Sequence, residues 1–319
     1  MRILVLFILL CLRLAAAAPL AAQEGRLLER IPFEWPTAFV DEMRTSMPEV
    51  DSLLAAVKVY RITYLSDGLK VKGFLAEPTK PGRYPSIIYN RGGNREFGKI
   101  NAGQLLFHVV NMARWGYVVV ASQYRGNDGG EGQEEFGGAD VNDVLNLLPV
   151  LEQIPSADTA RIGMFGGSRG GLMTYLALTR TNRIKAAVLL AGMTDAVRSI
   201  AERPEMGTKV YAEVIPGYGT NPDSVLATRS PVQWADRLCA TTPILLLHGT
   251  ADWRVSPRDA MDMAERLYEL KRPFRMVLFE GGDHGLSEFR SEANLVTRDF
   301  LDRYVRDGSP WPSLEPHGR

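Results

Sequence analysis

One serine stands in a sequence context that favours nucleophilic chemistry. It is Ser168, in the stretch IGMFGGSRGG over residues 162–171, which contains the pattern G-x-S-x-G. A serine displayed on a sharp turn between a strand and a helix needs small neighbours, because the two elements approach closely, and Gly166 and Gly170 meet that need. Apolar residues at helical spacing follow, so the sequence predicts Ser168 at a helix N-terminus, where positive partial charge favours a developing oxyanion.

A serine hydroxyl is a weak nucleophile, so a base within hydrogen-bond reach is required. The chain has four histidines. His108 lies in an apolar helical pattern and His317 in the tail, and both are expected to be structural or solvated. His248 ends a predicted strand and is expected to brace the next loop. His284 follows the last predicted strand, so the sequence favours His284 as the general base.

A third group must orient the imidazole of the base. Asp252 lies on the loop after the strand that ends at His248, and it gives the order Ser, Asp, His along the chain. Asp195, which follows an earlier strand, and Asp283, next to the base, are the alternative acids. Asp252 is favoured over both because of its place in the loop.

Short apolar runs alternate with helical patterns along most of the chain. A hairpin is predicted over residues 58–77. Further strands are predicted over residues 86–89, 117–122, 161–165, 186–190, 244–248 and 275–279. Near-continuous apolar strands separated by helices indicate the α/β class, a mostly parallel central sheet with helices on both faces. Its functional loops gather at the carboxyl ends of the strands, where Ser168 lies.

The sequence divides into four parts around this pattern. Residues 1–22 read as a secretory signal peptide, with a charged start, an apolar centre and small residues for cleavage after Ala18 or Ala22. Residues 23–57 form an N-terminal arm. Residues 58–306 form the catalytic domain, with an insertion over the site at about 192–236, and residues 307–319 form a C-terminal tail. The protein is therefore expected to be secreted or periplasmic.

Composition excludes several kinds of partner. Lys plus Arg equals Asp plus Glu at 37 each, so no global field draws the chain to nucleic acid. The leading apolar run is far shorter than the roughly 20 residues of a membrane span, so no stable span is expected. The two cysteines, Cys11 and Cys239, give no disulfide framework. No metal or cofactor is expected, and the oligomeric state stays open.

The motifs together resemble the catalytic domain of prolyl oligopeptidase-family (S9) serine hydrolases over about residues 58–306. The matching stretches are residues 166–171, 248–255, 283–285, 124–126 and 230–231. The resemblance implies the α/β-hydrolase fold, with Ser168 as nucleophile, Asp252 as orienting acid and His284 as general base. The family's β-propeller has no room before residue 58, so a catalytic domain without a propeller is expected.

The same resemblance places the oxyanion loop at residues 89–94. Backbone amides of Arg169 and of Gly92 or a neighbour are then expected to face the tetrahedral oxygen. Some family members use a tyrosine hydroxyl, so Tyr89 is a further candidate, with core packing as its alternative.

Four arginines near these motifs raise the question of substrate charge. Arg169 places a cation next to the nucleophile, where family members carry other side chains. The set that could receive a substrate carboxylate is Arg91, Arg125, Arg169 and Arg254. The alternative is that these arginines form structural salt bridges with Asp128, Glu134 or Asp140.

The sequence therefore predicts a serine hydrolase that cleaves peptide or ester bonds of small substrates through an acyl-enzyme. A carboxylesterase acting on acyl or sugar esters is the alternative within that chemistry. A non-catalytic binding module on a hydrolase scaffold is the alternative from another class.

Overall fold

A nine-stranded sheet forms the centre of the molecule. The computed structural model describes residues 24–318, so the predicted signal peptide lies outside the described residues. The strands stand in the order β1-β2-β3-β5-β4-β6-β7-β8-β9. Their bounds are β1 Leu27–Pro32, β2 Val57–Ser66, β3 Leu69–Pro78, β4 Tyr84–Asn90, β5 Val118–Ser122, β6 Ala157–Gly167, β7 Ile184–Leu190, β8 Ile244–Gly249 and β9 Phe274–Phe279.

The sheet is antiparallel at one edge and parallel elsewhere. Strands β1, β2, β3 and β5 pair antiparallel, whereas β5, β4, β6, β7, β8 and β9 pair parallel. The predicted α/β class and the parallel sheet are confirmed. Strand β1 was not predicted: the N-terminal arm adds it to the edge of the predicted hairpin, from Leu27 opposite Tyr64 to Pro32 opposite Tyr60. Proline is tolerated there because an edge strand leaves donors unpaired.

Helices cover both faces of the sheet. They are α1 Thr37–Ser46, α2 Val50–Ala55, α3 Ala102–Gln104, α4 Asn111–Arg114, α5 Val141–Leu145, α6 Leu147–Glu152, α7 Arg169–Leu178, α8 Ala196–Glu202, α9 Pro204–Met206, α10 Ala212–Val214, α11 Pro222–Ala227, α12 Pro257–Glu269 and α13 Arg290–Leu301. A π-helical turn, Leu105–Val110, joins α3 to α4. One apolar core packs under α5, α6, α7 and α12, and the other packs under the 102–114 segment and α13.

The insertion at 192–236 is more regular than its composition suggested. It contains four short helices (α8 to α11), a π-helical turn at Gly207–Tyr211 and a 3-10 helix at Pro231–Arg237. Proline explains part of the difference, because Pro204, Pro222 and Pro231 each stand in a first helical turn, where their missing N–H costs nothing. In this insertion these prolines therefore begin helices instead of interrupting them.

No helix within residues 24–318 combines the length and apolar character needed to cross a bilayer. Residues 307–318 form no helix or strand.

Candidate active site

Ser168 stands on a strained turn between β6 and α7. Its φ of 56° and ψ of −122° are unfavourable for a residue with a side chain, and such strain is typical of functional positions. The turn needs its glycines. A Cβ at Gly166 would lie 2.2 Å from the Gly170 carbonyl oxygen, and one at Gly170 would lie 2.0 Å from the Asn90 carbonyl oxygen. The close approach inferred from the motif is therefore present.

His284 and Asp252 meet above the ends of β8 and β9. His284 Nδ1 lies 2.7 Å from Asp252 Oδ2. A carboxylate oxygen accepts a hydrogen bond, so Nδ1 carries the proton and Nε2 keeps its lone pair. This is the tautomer that a general base needs.

Asp252 is buried and heavily hydrogen-bonded. Its Oδ1 accepts the backbone N–H groups of Arg254 at 2.8 Å and Val255 at 3.1 Å. Burial acts to raise the pKa of Asp252, but the hydrogen bonds from His248 and His284 outweigh it and hold this pKa well below its ordinary value. The Asp252 carboxylate is therefore ionised at neutral pH, where it accepts the hydrogen bond from His284 Nδ1.

His248 braces the Asp252 loop, as expected. The ring is fully buried, and its Nε2 lies 3.0 Å from the Val255 carbonyl oxygen and 3.1 Å from Asp252 Oδ2. Because a carbonyl only accepts, Nε2 carries the proton. The sequence did not reveal that His248 also contacts the acid itself, so that one carboxylate oxygen faces two imidazoles.

The two alternative acids have other partners. Asp195 caps α8 by accepting from the N–H groups of Val197 and Arg198. Asp283 accepts from Gly285 and Ser287 within its own loop. Neither carboxylate is hydrogen-bonded to His284, so the structure favours Asp252 among the three.

Ser168 and His284 line the same two cavities. The first, the apolar cavity, has a volume of about 440 Å³ and extends toward the 102–114 segment and α13. The second, the cationic cavity, has a volume of about 780 Å³ and extends toward the insertion, where Met193, Met206 and Val210 line it. Among residues 24–318 the Ser168 hydroxyl makes no hydrogen bond, and such catalytic bonds commonly tighten only with substrate.

The predicted oxyanion loop packs against the nucleophile. A Cβ added to Gly92 would lie 3.2 Å from Ser168 Cβ and 3.8 Å from Ser168 Oγ. Arg169 is the first residue of α7, and no side chain caps that helix end. The assignment of the backbone amides of Arg169 and Gly92 to the oxyanion hole stays a prediction. Tyr89 is buried, and its ring stacks on Phe165 at 5.8 Å in the wall of the apolar cavity, which supports the packing alternative.

The Arg169 side chain is paired within the protein. It is buried with Nη1 2.9 Å from Glu134 Oε1 and Nη2 2.6 Å from Asp140 Oδ2. Nη1 also donates to the Gly93 carbonyl at 3.1 Å. The expectation that this cation receives a substrate carboxylate is wrong, because two buried carboxylates already neutralise it. The structural alternative, pairing with Glu134 and Asp140, is correct.

Arg91 is also buried and internally bonded. Its guanidinium donates to the carbonyl oxygens of Gly92 at 3.0 Å, Arg95 at 3.0 Å and Gln123 at 2.9 Å. Burial and the neighbouring Arg169 lower the pKa of Arg91 to about 10. As a substrate contact Arg91 was wrongly predicted. Its guanidinium instead holds the loop that carries Gly92.

Arg125 was predicted as a substrate contact as well, and it lies elsewhere. Its Nη2 is 2.7 Å from both Asp143 Oδ1 and Asp67 Oδ2, and the side chain is buried. No charge is left over for a substrate, so this prediction is also wrong.

Arg254 is the one exposed side chain among the four predicted cations. Its side chain is exposed, it lines the cationic cavity and its guanidinium lies 5.2 Å from the centre of the Trp253 ring. Within residues 24–318 no carboxylate forms a salt bridge with it. Lys209 lines the same cavity and is likewise exposed, although it belongs to no motif that would have selected it from the sequence.

Comparison with known proteins agrees with this geometry. A sequence model described as the prolyl oligopeptidase family matches residues 104–307. The uncharacterized peptidase YtmA of Bacillus subtilis is 36% identical over 218 residues, which cover 68% of this chain and 82% of that protein. The chain belongs to the prolyl oligopeptidase family. The family comprises peptidases with the α/β-hydrolase fold. The chain is therefore a serine hydrolase.

Longer relatives match this chain over only part of their own length. The uncharacterized peptidase YuxL of B. subtilis is 30% identical over 262 residues, which cover 78% of this chain but 37% of that protein. The uncomplexed acylaminoacyl peptidase of Pyrococcus horikoshii has a TM-score of 0.68 and 26% identity, covering 81% of this chain and 43% of that one. The chain thus spans less than half the length of these two proteins. The predicted family resemblance is confirmed.

Proposed function

We propose that this protein cleaves peptide bonds in small substrates through an acyl-enzyme, with Ser168, Asp252 and His284 as its catalytic residues. The observation that carries the proposal is the Asp252–His284 hydrogen bond of 2.7 Å beside a strained Ser168 in one shared cavity. The peptidase names of the relatives favour a peptide over an ester.

The steps follow from the proton positions. Ser168 Oγ attacks the carbonyl carbon while His284 Nε2 takes the hydroxyl proton, and Asp252 stabilises the resulting imidazolium. The tetrahedral oxygen is stabilised by the backbone N–H of Arg169 and one from the Gly92 loop. His284 then gives its proton to the leaving amine, which departs as the acyl-enzyme forms. A water molecule, activated in the same way, releases the acid.

A carboxylesterase is the second candidate because the same chemistry cleaves esters. An aminoacyl or short peptidyl anilide and a short-chain aryl ester, compared at equal concentration, separate the two. The proposal expects anilide turnover that the Ser168→Ala variant loses. Turnover of esters alone would favour the esterase, and turnover of both substrates by a folded Ser168→Ala variant would contradict the proposed nucleophile.

We further propose that the protein is exported. The support is the sequence of residues 1–22, and sequencing the N-terminus of the mature protein is the test. A start at Pro19 or Gln23 agrees with the proposal, and an intact Met1 contradicts it.

A further inference from the structure

The apolar and cationic cavities both open onto Ser168. The groups on the two sides of a scissile bond can therefore lie in different cavities. Five residues line both cavities, and the remaining walls are separate. The shared residues are Gly92, Asn101, Gln104, Ser168 and His284. The apolar cavity is the one that carries an inference about substrate class, because one of its walls is made of ring and aliphatic side chains and Arg290 is the only arginine, lysine, aspartate or glutamate in its described lining.

Three rings form one wall of the apolar cavity. Tyr89 on β4, Phe165 on β6 and His108 in the π-helical turn all contact one another. The ring centre of Tyr89 lies 5.8 Å from that of Phe165 and 5.5 Å from that of His108, and the ring centres of His108 and Phe165 lie 6.4 Å apart. Leu190 and Leu247, at the ends of β7 and β8, continue the apolar surface beside Ser168. Ring and aliphatic surfaces of this kind favour an apolar ligand group, which gains by leaving water.

The imidazole within this wall does not alter its character. Burial, with a contribution from Arg290, lowers the pKa of His108 to about 4. The ring is therefore neutral at neutral pH. The π-helical turn that presents it is a feature often found at functional sites. Arg290, which is exposed, lies 4.7 Å over the Phe107 ring, so its cation stacks on an aromatic face of the lining.

We propose that the apolar cavity binds an aromatic or aliphatic group attached directly to one side of the scissile bond. This inference rests on the proposed function. A cavity of about 440 Å³ is large enough for a side chain or a short acyl chain. The group belongs either to the acyl half or to the leaving group, and the two halves are separated by experiment.

Two ester series measured with the intact protein make the test. The first keeps p-nitrophenol and lengthens the acyl group from acetyl to butanoyl to octanoyl. The second keeps acetyl and enlarges the leaving group from phenyl to 2-naphthyl. Each buried methylene contributes about 0.8 kcal/mol, so the two added from acetyl to butanoyl are expected to raise kcat/KM roughly fifteenfold if the acyl half enters the cavity. A rise in the second series assigns the leaving group instead.

Ala293 supplies the cavity-filling variant. It is buried in α13 and lines only the apolar cavity, so Ala293→Leu occupies the space of the ligand group. The expected result is loss of the rise in kcat/KM along the series, with each longer ester compared with p-nitrophenyl acetate on the same variant. Asn294→Leu, at the less buried next position, is the second filling variant if Ala293→Leu does not fold. Ser291→Leu adds the same side chain to the exposed surface of α13 and is the matched control.

The outcomes distinguish failure of the apolar-cavity inference from failure of the proposed hydrolase function. Acetate turnover with no rise in either series, or with a rise that both filling variants retain, overturns the apolar-cavity inference and leaves the hydrolase proposal intact. Absence of turnover of every ester and anilide overturns both.

Discussion

The charges beneath Ser168 and the charges above it differ in burial and in partners. We call the first group the inner layer: Arg91, Glu134, Asp140, Arg169 and Asp252, all buried and internally bonded. We call the second the outer layer: Lys209 and Arg254, both exposed and, within the described residues, without a carboxylate partner. Residues of one chemical type therefore have two roles. Inner arginines fix backbone and nucleophile, whereas an outer arginine is available to a substrate.

Glu134 shows how the inner layer is assembled. Its Oε1 lies 2.9 Å from Arg169 and accepts the backbone N–H of Arg95 at 2.8 Å. Burial acts to raise the pKa of Glu134, but Arg169 outweighs it and holds this pKa below its ordinary value. One carboxylate thus links the start of α7 to the oxyanion loop. A loop held in this way can keep backbone N–H donors in position before substrate binds, and preorganised donors are usually the largest source of transition-state stabilisation in acyl transfer.

The largest expected effect comes from Asp252→Asn. Removing the carboxylate leaves the His284 ring without the acceptor that fixes its tautomer, so kcat is expected to fall by about 10³ to 10⁴ with little change in KM. Steady-state kinetics on an anilide or an ester measure this. A rise in KM with kcat unchanged would instead give Asp252 a role in substrate binding.

Arg169→Met is expected to reduce the free energy of unfolding by about 3–5 kcal/mol, because Glu134 and Asp140 are left as unpaired buried charges. Urea denaturation is the measurement. The control is Arg254→Met in the outer layer, for which we expect a change within about 0.5 kcal/mol. Equal losses in the two variants would remove the distinction between the layers.

His108 gives a pH test of the cavity wall. Its folded-state pKa, about 4, lies below the ordinary value of 6.5, so the unfolded chain binds more protons between these values. Stability is therefore complete above about pH 6.5 and decreases as the pH falls toward 4, by roughly 1–2 kcal/mol at pH 5. His108→Phe, which keeps a ring in the stack, should unfold in urea with a smaller pH dependence. An unchanged dependence contradicts a neutral His108.

The smallest effect is expected at Arg254→Gln. An exposed ion pair contributes about 0.2–1 kcal/mol, so KM for a substrate with a free carboxylate should rise up to about fivefold, and less in high salt. A neutral ester of similar size is the matched substrate and should show no change. Equal changes for both substrates would contradict a charge contact.

The sequence was informative where chemistry and local geometry coincide. Gly166, Ser168 and Gly170 form a turn in which larger side chains would clash, and the apolar runs of the central strands β4, β5, β7 and β8 reflect burial on both faces. The roles of Arg91 and Arg169 could not be read in the same way. Each depends on Glu134, which is distant in sequence, and on burial that only the packed loop creates. Strand β1 was missed because its burial pattern is that of a largely exposed edge.

The central claim is that Ser168 is a nucleophile activated by His284, and covalent labelling tests it most directly. The folded wild-type protein is incubated with a fluorophosphonate, digested and analysed by mass spectrometry, with Ser168→Ala treated in parallel. The account predicts one adduct on the peptide that contains Ser168, absent from the variant. No adduct on the folded wild-type protein, or an equal adduct on Ser168→Ala, would contradict it.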